Sequence, residues 1–200
     1  MSQQFNKSLR FSIGIAVITF VLAALFSIIS SILLNGVGWF AGIFIVLSIV
    51  LIGVIFDMFG IAATAADEVP FHAMAAEKVH GSRQAIVIVR NADRFASFCN
   101  DVIGDISGII SGTASAVVVL QLALGFGYNE GSTNQFTISI IFTSIVAAFT
   151  VGGKALGKFF AIHSSTQIIL FAGKVIAFIE KHLHIRVLPA LKRKNGRNSQ

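Results

Sequence analysis

Charge is what this sequence has least of: only 12% of its 200 residues are Asp, Glu, Lys or Arg, and mean hydropathy is +0.84. Soluble domains carry about 25%, so a water-solvated fold is excluded. Cysteine is nearly absent. The single Cys99 rules out an intrachain disulfide and, at the start of the third apolar run, reads as a buried, inert thiol. No stretch alternates in polarity as a lipid-spanning β-barrel requires. The five histidines, His72, His80, His163, His182 and His184, form no zinc pattern with a cysteine pair, which favours solvated or interfacial positions. No serine or cysteine stands beside a recognisable base, so no catalytic residue is assigned and an enzyme is not expected.

What the chain has instead is apolar length. Four uncharged stretches, 11 to 34, 36 to 56, 106 to 129 and 131 to 153, approach the roughly 20 residues a helix needs to cross a hydrocarbon core. Lipid leaves backbone N–H and C=O groups no water to bond, which selects helices. The first stretch follows Lys7 and Arg10 as a secretory signal would, but it exceeds the apolar core of about 7 to 15 residues typical of signals. It ends on the turn pair Asn35-Gly36 and is expected to remain as a helix. The fold class is an all-α membrane protein with four transmembrane helices plus amphipathic juxtamembrane helices.

Orientation follows from the basic residues. Lys7 and Arg10 precede the first span, Lys78, Arg83, Arg90 and Arg94 lie between the second and third, and the rest begin at Lys154. The connections near Asn35–Gly38 and Tyr128–Gln135 have none. Basic loops stay cytoplasmic, so both termini are expected inside a multi-pass cell-membrane protein.

Residues 67 to 98 hold two amphipathic segments. One starts at Pro70, carries Phe71, Met74, Ala75 and Val79 at helical spacing, and breaks at Gly81-Ser82. The other places Ile86, Val89, Phe95 and Phe98 among Arg90, Asp93 and Arg94 and leads into the third span. A third, 164 to 184, is interrupted by Lys174 and suits the interface better than a fifth crossing. The tail from Lys192 to Arg197 suits anionic lipid head groups rather than nucleic acid.

Acids and amides near the span ends are the functional candidates, because charge in a membrane helix is costly. Asp57 and Thr64 fall on one helix face, with Asp67 about 60° away. Asp101 and Asp105, four apart, are expected on one face. There they would share a cation, lie wetted at the cytoplasmic helix end, or pair with Arg90 or Arg94. Ser107, Gly108, Ser111, Gly112, Ala114 and Ser115 permit close helix packing or dimerisation. Gly152, Gly153 and Gly157 flank Lys154 and Lys158 and permit a bend or a close backbone approach.

In order and spacing these stretches resemble the transmembrane domain of the cyclin M and CorC family of magnesium transporters. Thr64-Ala65-Ala66-Asp67 is similar to that family's Ser-Ala-Ala-Glu-like stretch, and Arg94-Phe95 to its arginine-phenylalanine pair. Cys99-Asn100 matches its Gly-Asn element in part, and Gly153 through Lys158 keeps a glycine and a lysine of its Gly-Glu-x-x-Pro-Lys. The resemblance implies a three-span domain over 39–190, after an N-terminal stub and extra first helix in 1–38 and before a basic cytoplasmic tail in 191–200. It implies a homodimer and a Mg²⁺ site bordered by Thr64, Asp67, Asn100, Asp101 and Asp105, with Asp57, Gly153 and Lys154 as neighbours. Lys154 stands where the family has an anionic ligand, so it is expected to neutralise Asp57, Asp101 or Asp105. No cystathionine-β-synthase-like pair follows in these 200 residues, and nucleotide regulation is not expected.

Two functions follow as expectations. One is a divalent-cation transport-family membrane protein, with membrane lipid and a divalent cation as partners and no nucleic acid. The other is a non-transporting scaffold or accessory subunit that binds another membrane protein.

Overall fold

A computed structural model describes residues 2–34 and 36–183. His184 and the basic tail 191–200 lie outside the described residues. The chain is an all-α integral membrane protein with four helices long and apolar enough to cross a bilayer. Helix α1, Ser2–Leu34, contributes the apolar stretch Ser12–Leu34 and gives way to a turn at Gly36, whose φ of +95° suits glycine. Helix α2, Trp39–Ala65, is the second crossing. Pro70, in the first turn of α3, Val69–Ala76, supplies a fixed φ where no intrahelical N–H partner is needed.

The first amphipathic segment ends earlier than its spacing predicts. Lys78 has a φ of +60°, and Gly81 at +85° precedes α4, Ser82–Arg90. A Cβ on Gly81 would lie 2.5 Å from the backbone nitrogen of Lys174, so the turn also admits close contact with the last described helix, Ser165–Leu183. After α4 come α5, Ala92–Ser97, a π-helical segment, Phe98–Gly104, and α6, Asp105–Gly125. Together Ala92–Gly125 forms the third apolar helix, which stops short of the expected 129.

Ser132 caps α7, Thr133–His163, its hydroxyl accepting from the Gln135 N–H at 3.2 Å. This helix runs well past 153, so Lys154 sits inside it rather than beyond a span. Helix α8, Ser165–Leu183, is amphipathic and is not among the four candidate crossings.

Helix α2 is the centre of the bundle, touching α5, the π segment, α6, α7 and α8, while α1 packs on α6 and the π segment. Val46 and Val50 of α2 are buried with Leu34, Ala114, Val118 and Val146. A second core, around the fully buried Phe71, joins Ala62 and Ala63 to Ala85, Ile88 and Ile169. The belt α3–α4 is therefore sealed onto the end of α2 by α8. Gln84 reinforces the seal, donating to Glu180 at 3.2 Å. In contrast, only 6% of the apolar window of α7 is buried inside the protein. Such an outer surface, with Phe136 and Phe149 exposed, requires an apolar surrounding.

Close approach explains some of the small residues, though not Gly108 and Gly112, where an added Cβ would have no neighbour within 4 Å among the described residues. Gly53 faces Ser107, and a Cβ there would lie 2.9 Å from the Ser107 Cβ. Ser107, Ser111 and Ser115 are buried, and the last two hydroxyls donate to the carbonyls of Gly108 and Ser111. Gly153 and Gly157 of α7 lie against Val54, while Gly152 faces open space.

Candidate functional site

The polar centre is built from three elements, α2, α7 and the π segment. Asp57 projects from α2 and Lys154 from α7, with Oδ1 and Nζ 3.8 Å apart. The separation is that of an ion pair, longer than a hydrogen bond. Both groups are largely withdrawn, with side chains 16% and 30% exposed. Gly104 lies beside them: a Cβ on it would sit in ordinary contact, 3.7 Å from Asp57 Oδ1 and 3.8 Å from Lys154 Nζ.

One turn away, Gly60 faces Asn100. A Cβ on Gly60 would overlap the Asn100 carboxamide, so no other residue type fits under that amide without displacement. Asn100 Oδ1 is buried and has no hydrogen-bond partner among the described residues. A buried acceptor of this kind costs about 1 to 3 kcal/mol when left unsatisfied. Asn100 and Gly104 both belong to the π segment, whose wider turn sets their register against α2. Such insertions recur at functional sites.

The other expected residues lie elsewhere. Thr64 is exposed near the end of α2, its hydroxyl donating to the Ile61 carbonyl at 2.9 Å. Asp67 does not take its expected place about 60° from Thr64 on that helix, because α2 stops at Ala65 and Asp67 is exposed in the connection to α3. Asp101 and Asp105 are also exposed, one in the π segment and the other at the start of α6. Arg90 is engaged elsewhere, its Nε donating to Glu68 Oε1 at 2.6 Å. Of the three acids offered as a partner to Lys154, Asp57 is the one it meets. Among the described residues, no three carboxylate, histidine or cysteine side chains gather as a metal cluster.

Sequence reasoning missed three features. Gly104 was indistinguishable from a packing glycine, and a π insertion has no composition signal. The Glu68 hub was missed as well: Glu68 also meets His72 Nε2 at 2.6 Å, and its carboxyl is held below the usual value of 4.5, first by His72 and then by Arg90. The chain matches no protein-family model, no curated protein and no solved structure.

Proposed function

We propose that this membrane protein belongs to the CorC-like class of divalent-cation transport proteins and that Lys154 holds the place of the cation beside Asp57. The observation that carries this reading is the Asn100 oxygen, unpartnered among the described residues, one turn from an aspartate whose counter-charge is the Lys154 ammonium. A carboxylate and an amide oxygen are hard donors of the type Mg²⁺ takes, usually with several waters retained. An ammonium donates but never accepts, so the lysine satisfies Asp57 only while no cation is bound. Cation arrival then requires Lys154 to swing away. Both termini are cytoplasmic by the basic-loop rule.

A homodimer is part of the proposal. Asp101, Asp105, Gly108 and Gly112 lie on exposed positions of one stretch of helix, and carboxylates facing lipid are costly. A second copy covering them would remove that cost.

The ammonium itself favours a second reading, in which Lys154 locks the centre permanently and the chain serves as a scaffold for another membrane protein. Calorimetry with Mg²⁺ on the detergent-solubilised chain separates the two. Transport predicts binding to the native protein that is lost in Asn100→Ala and strengthened in Lys154→Gln. The locked reading predicts binding only after Lys154→Glu. Absence of binding in all four proteins rejects a cation site at this centre.

A further inference from the structure

A cavity of about 670 Å³ opens between the C-terminal half of α2, the α4–α5 corner, the π segment and α8. Its volume falls within the roughly 300 to 1,000 Å³ of small-molecule sites. Phe56 and Phe59 of α2, Phe95 of α5, Phe98 of the π segment, and Phe171 and Val175 of α8 line it. Phe59 and Phe171 stack with ring centroids 6.3 Å apart and planes 13° from parallel, which fixes that wall. Phe98, Phe171 and Val175 are themselves exposed, so the cavity communicates with the apolar surround of the bundle.

One charged residue, Arg94, belongs to this otherwise apolar and aromatic lining; its one further polar residue, Asn91, spends its amide N–H on the Val87 carbonyl. Arg94 is exposed and has no carboxylate partner among the described residues, unlike Arg90, which is held by Glu68. A fixed apolar slot with a guanidinium at its edge is complementary to an amphiphile carrying an anionic head. A guanidinium binds phosphate oxygens through paired N–H donors. The chain beyond α8 is a poor occupant, since Arg186, Lys192 and Arg193 would meet Arg94 with like charge.

We propose that this cavity binds an acyl chain of an anionic phospholipid whose phosphate is taken by Arg94. Lipid seated here bridges α2, the belt and α8, the three elements around the second hydrophobic core. The assignment is independent of whether a cation is transported.

The test uses the full chain in nanodiscs of equal phosphatidylglycerol and phosphatidylcholine, released into detergent for native mass spectrometry. The native protein should retain phosphatidylglycerol over phosphatidylcholine by about five-fold, the value of one basic group near an anionic surface. Arg94→Gln should bring the ratio close to one, Arg94→Lys should keep most of it, and Val175→Trp should lower retention of both lipids by filling the slot. Circular dichroism checks that these exposed-site variants stay folded. Equal retention of the two lipids by the native chain, or an unchanged ratio in Arg94→Gln, would overturn the proposal. So would a Val175→Trp variant that loses self-association while keeping its lipid, which would give the cavity to a second copy.

Discussion

Lys154 Nζ and Asp57 Oδ1, carried by helices remote from each other in the chain, lie 3.8 Å apart beside Gly104. Each charge is the other's ion-pair partner in a place where both side chains are largely withdrawn. Breaking a fully buried pair by removing one partner costs about 3 to 5 kcal/mol. Here, with partial exposure, Asp57→Asn should cost about 1 to 3 kcal/mol after solvent screening. The double variant Asp57→Asn/Lys154→Met should recover part of that loss, because no uncompensated charge remains. Unfolding titrations in bicelles across the four-member cycle measure the coupling, and strictly additive costs would show that the two charges do not interact.

The contact of Gly60 with Asn100 sets a second expectation. Gly60→Ala forces its methyl into the carboxamide and should destabilise by about 1 to 3 kcal/mol, as overpacking does. Asn100→Ala alone should cost less, since the Oδ1 it removes has no partner to lose. Combined with Gly60→Ala it should relieve the clash. The same bicelle titration decides the matter: a double variant no more stable than Gly60→Ala would mean that the methyl is resisted by something other than the amide.

A third expectation concerns pH. The Glu68 carboxyl titrates below 4.5 because it accepts from His72 and Arg90. A depressed carboxyl contributes stability that is present above 4.5 and is lost as pH falls through its folded value. The group is about a third exposed, so the contribution is below about 1 kcal/mol. It should appear as faster amide exchange of α3 and α4 on acidification from about pH 6 to about pH 3, corrected for intrinsic rates. Glu68→Gln should remove that excess. An identical acid response in the variant would assign the acid sensitivity to another carboxylate.

Much of the fold was legible because lipid imposes length and composition together. Uncharged runs and the Asn35-Gly36 turn announce α1 and α2 with little dependence on context. Pro70 and Gly81 announce the broken belt for the same reason, since each acts through its own backbone. The site was less legible. Asp57 and Lys154 were among the residues considered, but which acid the lysine meets depends on how α7 packs along α2, and α7 continues past its apolar run. Asp67 was placed on a helix face by extrapolating α2 beyond Ala65, where the chain turns extended at Ala66. Asp101 and Asp105 were read with an α-helical period, and the π segment Phe98–Gly104 between belt and α6 has no sequence signal of its own.

That wider turn fixes the rotational phase between the belt and α6. Each residue of an α-helix advances the chain by about 100°, so excising one residue between Phe98 and Gly104 to regularise the helix would swing everything before the cut around the axis by a comparable angle. Phe95 and Arg94 would leave one side of the bundle for another while α6 stayed seated, making the loop of irregular winding a phase shifter that this architecture needs.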